Sequence, residues 1–361
     1  MKTSTIAILA ALGSLQTVVA QLIAGTPVWV DATTCDPWAK SNGFPAAAGP
    51  GGLFTTAVGI LGQIADANLY RMNHPSKQSQ TTLPANVLAW ERYRLNSTYG
   101  AFFGNNTDTT PVALGVWEVV WTLWGIQYQW ASTYKPYLFV MCDDAPYLSK
   151  SSNGSLVFTD PYNHAAADFS RNPTLNLQLP TSGCATNGLS GYKVENFDNW
   201  TQYHVFCTKN FNLPLGFTNK GPVTFASGTT LEAAGKSWLG ALYTHALWSD
   251  GFGDTSTYPS VHGVAASHAI RNNRDSVLNT DSNKFFSIAL MLDGLFWGSG
   301  VGQTSQQEYA SLQKTAAGKK LISAFGLTNI AVPARGITWA SGWAVPNMNN
   351  EVVPMQPIPT A

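Results

Sequence analysis

The densest set of metal-ligating and proton-transferring side chains follows the stretch Gly240-Ala241-Leu242-Tyr243-Thr244-His245-Ala246-Leu247-Trp248-Ser249-Asp250. A zinc-hydrolase helix sets two histidines four residues apart, one turn, so that both rings reach one ion. A glutamate beside the first histidine then serves as general base on the metal-bound water. Here His245 holds the first position, Ala246 the glutamate's and Ser249 the second histidine's. Further donors follow at Asp250, His262 and His268, so four candidate metal ligands fall within 24 residues. Their spacing works against a shared helical face. Asp250 lies about 140° around the axis from His245, and His268 about 240° from His262. The bland alternative makes His245 a core histidine among Trp238, Leu242 and Trp248, and makes His262 and His268 surface or cap residues.

Other chemistries find less support. There is no Gly-x-Ser-x-Gly elbow, P-loop or dinucleotide-binding glycine fingerprint. Asp143-Asp144 and Asp198 supply carboxylates for a glycosidase pair, but adjacent acids near turns read more simply as solvated loop residues. His204 neighbours a strand cysteine and reads as structural. His74 and His164 carry no motif.

Downstream of His245 the chain reads Ser256-Thr257-Tyr258-Pro259-Ser260-Val261-His262-Gly263, then Asn279-Thr280-Asp281-Ser282-Asn283-Lys284-Phe285-Phe286. With the His245 segment, this resembles the fungal deuterolysin (aspzincin) metallopeptidases and their lysine-specific metallo-endopeptidase relatives. Those proteins carry His-Glu-x-x-His, then Gly-Thr-x-Asp-x-x-Tyr-Gly, then a helix opening with an Asn-Ala-Asp-Asn-Tyr-like motif. The likeness covers residues 200–295, and the amino-terminal half in general layout only. It implies a zincin-like architecture. Carried over position by position, the first zinc histidine is kept as His245, while the general base becomes Ala246 and the second histidine Ser249. The second motif keeps its threonine as Thr257 and its closing glycine as Gly263. Its zinc aspartate becomes Pro259, and the tyrosine that stabilises the transition state becomes His262.

A catalytic zinc needs three protein ligands and an open position. Proline offers no donor atom, and general-base assistance worth about 10²–10⁴-fold is lost with Ala246. The resemblance therefore implies a non-catalytic relative without a cofactor, whose cleft binds a peptide, a partner protein or a glycan. Two alternatives stay open. One is an active zinc metalloendopeptidase with unorthodox ligands. The other is an extracellular or cell-wall binding protein, which would need exposed Trp or Tyr.

The elements that must position these residues suggest an α+β fold, mostly helical, with a small sheet. Residues 33–52, punctuated by Pro37, Pro45, Pro50 and glycines, read as loop. A helix capped by Thr55 or Thr56 follows, carrying Val58, Leu61, Ile64, Ala65 and Leu69 at helical spacing. A second helix covers 85–99, and 117–130 reads as buried helix. Tyr137–Cys142 and Tyr203–Cys207 are short continuous apolar runs and read as strands. The polar stretch 143–200 between them reads as long loops. Helices are then expected at 230–248, 260–272, from Thr280, and over 306–325, the last stopped by Gly326. Residues 21–345 read as one domain in two halves, 21–220 and 221–345, with 346–361 as a loose tail.

Export is indicated at the amino terminus. Lys2, an uncharged apolar run from Ile6 to Leu15, and Val18 and Ala20 make a signal peptide, residues 1–20, cleaved before Gln21. The run is too short for a bilayer span. The apolar stretch Val116–Trp130 is interrupted by Glu118, Gln127 and Gln129, so no membrane span is expected. Sequons stand at Asn96, Asn105, Asn153 and Asn199. With 20 basic and 20 acidic residues, and charged residues only 11% of the chain, there is no electrostatic footprint for nucleic acid. The four cysteines, Cys35, Cys142, Cys184 and Cys207, suit two disulfides in an exported chain, and their spacing leaves all three pairings open. The family likeness favours Cys142–Cys207, both at the ends of apolar strands, which leaves Cys35–Cys184.

Overall fold

The computed structural model describes residues 20–23, 28–58, 84–104, 138–150, 156–158, 183–185, 191–196, 201–210, 217–218, 221–222, 225–235, 240, 261–271, 276, 279–333, 344–346 and 352–354. Within them the fold is mixed α+β. The main sheet has five strands in the order β1-β2-β3-β7-β6. β1 (Ala20–Leu22) runs antiparallel to β2 (Val28–Asp31). β2, β3 (Leu138–Met141) and β7 (Thr201–Phe206) are mutually parallel. β6 (Gly191–Asn196) closes one edge, antiparallel to β7. β4 (Leu148–Lys150) and β5 (Leu156–Phe158) form a separate hairpin.

Side chains alternate across these strands with a period of two, and that alternation builds two cores. Val28, Val30, Val140 and Phe206 face a helical layer. Phe139, Met141, Tyr203 and Val205 face the other way, toward Tyr147, Phe158 and Tyr192. The helical layer begins with α1 (Ala32–Ser41), where a loop was expected. The Asp31 side chain overrides the Pro and Gly punctuation by accepting from the N–H groups of Thr33 and Thr34, so the helix starts one residue after β2. Pro37 is accommodated inside it. Residues 53–58 are helical too.

α2 (Ala85–Phe103) extends four residues past the expected end and stops at Gly104. It packs against α5 (Thr280–Met291), which starts at the expected Thr280. Between them in the chain, the described residues include two short helices, α3 (Leu231–Gly235) and α4 (Val264–Ala269). A Cβ on Gly235 would overlap the Phe285 ring, so glycine is what lets α3 lie flat against α5.

The single carboxy-terminal helix expected over 306–325 is two helices, α6 (Ser305–Leu312) and α7 (Ala316–Phe325). Thr304 opens α6 with a capping box shared with Gln307, and Thr315 caps α7 by accepting from Gly318 N–H. Gly326 ends α7 in the left-handed conformation, at the expected place. This helical hairpin closes a third apolar cluster over Trp90, Tyr93 and Phe296. Two other corrections concern segments expected to lack regular structure. The stretch 143–200 contains β4, β5 and β6; after the short pair β8 (Phe217–Thr218) and β9 (Gly221–Pro222), the expected tail contains β11 (Val352–Pro354), which pairs with β10 (Ala344–Pro346) at the domain's expected end.

The disulfides join Cys35 to Cys142 and Cys184 to Cys207, not Cys142 to Cys207 and Cys35 to Cys184. Strand register explains the difference. β3 and β7 align Val140 with His204 and Met141 with Val205, so Cys142 falls level with Phe206 and Cys207 is one residue out of phase. Adjacent residues of a strand point to opposite faces. Cys142 accordingly enters the helical-side core and meets Cys35 on α1, while Cys207 enters the other core and meets Cys184. Each bridge ties one layer to the sheet. Among the described residues, no helix is long and apolar enough to cross a membrane.

Candidate functional site

The carboxyl ends of the three parallel strands are where open α/β sheets usually place ligands. Two described acids at that end are held by internal bonds. Asp31, at the end of β2, is 1% exposed and accepts from Thr34 Oγ1 at 2.6 Å and Tyr147 OH at 2.6 Å, besides capping α1. Asp144, just past β3, is 3% exposed and accepts from Cys184 N–H at 2.7 Å and Tyr192 OH at 2.5 Å. Burial first, then these carboxylates, push both phenols above their ordinary pKa, so they stay protonated donors. Asp144 is thus a buried anchor and no solvated turn residue. Its neighbour Asp143 pairs with exposed Lys209 at 2.7 Å. His204 is fully buried within β7.

The second motif is the part of the candidate site within the described residues, at 261–263. Its conformation is imposed from outside the loop. Asn279 Oδ1 accepts from Val261 N–H at 3.1 Å, and Asp281 Oδ2 accepts from Gly263 N–H at 2.7 Å. Both acceptors belong to the segment opening α5. From α3, Glu232 Oε2 accepts from Val264 N–H at 2.7 Å and so caps α4. Asn279 is also tied to α4 through Ser267 Oγ at 3.3 Å and to α5 through Ser282 Oγ at 2.8 Å. Gly263 has φ 88° and ψ 163°, a conformation effectively reserved for glycine. Two of the family-like segments are therefore one physical unit: the opening of α5 shapes the loop bearing His262.

His262 is the exposed member of this unit, with 81% of its side chain in solvent. Its Nδ1 lies 3.9 Å from Asp281 Oδ2, beyond hydrogen-bond range. That carboxylate is already engaged by Gly263 N–H and, through Oδ1, by Lys284 Nζ at 2.5 Å. His268, on α4, sits in different surroundings. It is half-buried, its ring meets Phe102 edge-on at 4.6 Å, and its Nε2 is buried with no hydrogen-bond partner. Burial, with Arg271 adding to it, holds its pKa below the usual histidine value. His268 is thus packed against α2, where a surface or cap position was one expectation.

His245, Ala246, Ser249, Asp250, Thr257 and Pro259 lie outside the described residues, as do Asn105, Asn153 and Asn199. Among the described residues, no three His, Cys, Asp or Glu side chains are grouped to hold a metal ion. Asn96 is exposed on α2, as a glycan acceptor requires. Of the tryptophans described, Trp90 and Trp297 are fully buried, and Trp29 and Trp38 are half-buried against Phe139 and Phe54. Trp90 and Trp297 therefore have no ring face open to a sugar.

The sequence marks His262 as a candidate and Gly263 as a retained position, shows Asn279 and Asp281 only as part of the third family-like segment, and gives no sign of the part played by Glu232. The available signal was an acid in the first turn of a helix, which gives no hint that it caps a different helix 32 residues away. The 261–263 loop thus combines a fixed backbone with an exposed imidazole. At one edge of the sheet, β6 has β7 on one side and, among the described residues, no further strand of this sheet on the other. No protein-family profile, curated protein or solved structure matches the chain.

Proposed function

We propose that this protein is an exported relative of the deuterolysin-type metallopeptidases that has lost its zinc chemistry and binds an extended peptide without cleaving it. The observation that carries this reading is the coupling of Asn279 and Asp281 to the 261–263 loop. The likeness retains these residues together with Gly263, His245 and Thr257, and among the described ones, Asn279, Asp281 and Gly263, the work is to fix backbone. The positions it replaces, Ala246, Ser249 and Pro259, are those a metal and a general base would require. The mixed α+β fold and two disulfides are compatible with a zincin-like exported protein. A peptide is the favoured ligand because β6 is an edge strand among the described residues, and an extended peptide adding to such an edge gains affinity from backbone hydrogen bonds.

Metal analysis and proteolysis of the purified protein test the reading together. Zinc should be well below one equivalent and casein should remain intact; stoichiometric zinc with casein cleavage overturns the proposal. If activity were found, His245→Ala should abolish metal and cleavage together under the unorthodox-ligand alternative. For peptide binding, the 191–196 amides should gain hydrogen-exchange protection when a saturating extended peptide from a random library is added. Protection elsewhere but not on β6 would refute the edge-strand mode.

A further inference from the structure

The third apolar cluster contains an ionisable group that nothing above employs. Glu308, on α6, is 9% exposed, and its Oε1 accepts a short hydrogen bond from Tyr93 OH on α2. Tyr93 is itself packed among rings, 5.6 Å from Trp90, 6.2 Å from Phe296 and 5.7 Å from Phe325. This contact spans the joint between the α6–α7 hairpin and the rest of the molecule. Other polar ties across the joint are neutral: Trp90 Nε1 donates to Thr328 O at 2.9 Å, and Ser227 Oγ bonds the Gln307 side-chain oxygen on α6.

We propose that Glu308 is a proton-operated latch: its protonated carboxyl lets the α6–α7 hairpin dock tightly on α2, and release of that proton to solvent loosens the hairpin. Among the described residues, no cation is paired with that carboxylate. From α2, Glu91 and Arg94 face each other at 3.5 Å, and Arg94 donates through Nη1 to Leu295 O and lies over the Phe296 ring, 4.1 Å away, with its Nε and Nη2 buried without a hydrogen-bond partner. Arg92, also on α2, is exposed. From α7, Lys319 and Lys320 are exposed, as is Lys314 between the helices. Residues 295–304 and 327–333 contain no charged side chain. A carboxylate in apolar surroundings with a single neutral donor is stabilised by taking up a proton. Burial raises Glu308 above its ordinary pKa of 4.5, with the Tyr93 bond opposing weakly. Burial and Glu308 together raise Tyr93, which stays protonated. For a group raised on docking, the stabilisation is complete below the undocked pKa and is lost as pH rises through the docked one.

Hydrogen exchange over residues 305–333, corrected for intrinsic rates, tests the latch between pH 4 and 8. Protection in the wild type should fall about tenfold per pH unit between the undocked and docked pKa values of Glu308. In Glu308→Gln, which keeps the acceptor and cannot ionise, protection should not change with pH. A wild-type profile that is flat or rises with pH, or a Glu308→Gln profile that follows the wild type, overturns the proposal. The ¹³Cδ resonance of Glu308 in the wild-type chain gives a readout independent of any variant: a titration midpoint at or below 4.5 refutes the latch.

Discussion

Replacing Cys35 and Cys142 together by alanine removes a cross-link that closes 107 residues of chain, whereas replacing Cys184 and Cys207 removes one that closes 23. All four cysteines are buried, so the packing lost is alike in the two variants and loop length separates them. Chain entropy assigns about 4.8 kcal/mol to the long loop and about 3.4 kcal/mol to the short one, a difference of about 1.4 kcal/mol. Urea unfolding with linear extrapolation measures both losses, and the Cys35/Cys142 variant should show the lower midpoint. A non-reduced peptide map supplies the check on connectivity. A fragment linking Cys142 to Cys207, or a larger loss from the short-loop variant, would refute the register argument that places these two sulfurs on opposite faces of the sheet.

Gly263→Ala should destabilise by about 1–3 kcal/mol through backbone strain alone, and the new Cβ would press on Glu232 Oε2 at 3.1 Å and disturb the α4 cap; thermal melts measure the cost, and a neutral variant would mean the loop does not adopt φ 88°. Arg94→Met removes the guanidinium facing Glu91 in a site where both are under 4% exposed. Breaking a buried pair from one side costs about 3–5 kcal/mol, while Glu91→Met/Arg94→Met should recover most of that loss in the same denaturation assay.

Legibility in the sequence followed local physics. Both strands with continuous apolar runs, the start of α5 at Thr280 and the stop at Gly326 were all readable because apolar runs, helix-start residues and a left-handed glycine act within a few residues of themselves. The α1 helix was not, because Asp31 outweighs Pro37 only once β2 delivers it to the start of the turn. The disulfide pairing failed for a sharper reason. Tyr-Leu-Phe-Val-Met-Cys and Tyr-His-Val-Phe-Cys look equivalent, yet the parallel register offsets their cysteines by one, and register is a property of two strands that neither sequence contains. In the candidate site, Asn279 and Asp281 stood out by likeness. Their contact with a loop 18 residues earlier is tertiary information, as is the buried Tyr93–Glu308 pair, whose partners are 215 residues apart.

Because the 261–263 backbone is braced by Asn279, Asp281 and Glu232, its conformation does not depend on which side chain stands at position 262. The arrangement is a mounting bracket: rigid stays behind, and an interchangeable fitting in front, four-fifths of it in water. Drift at that position is thermodynamically cheap, so a new binding preference could be gained there by single substitutions without refolding cost. A protein engineer could use it in the same manner, installing aromatic, charged or fluorescent groups at residue 262 while the scaffold keeps its melting temperature.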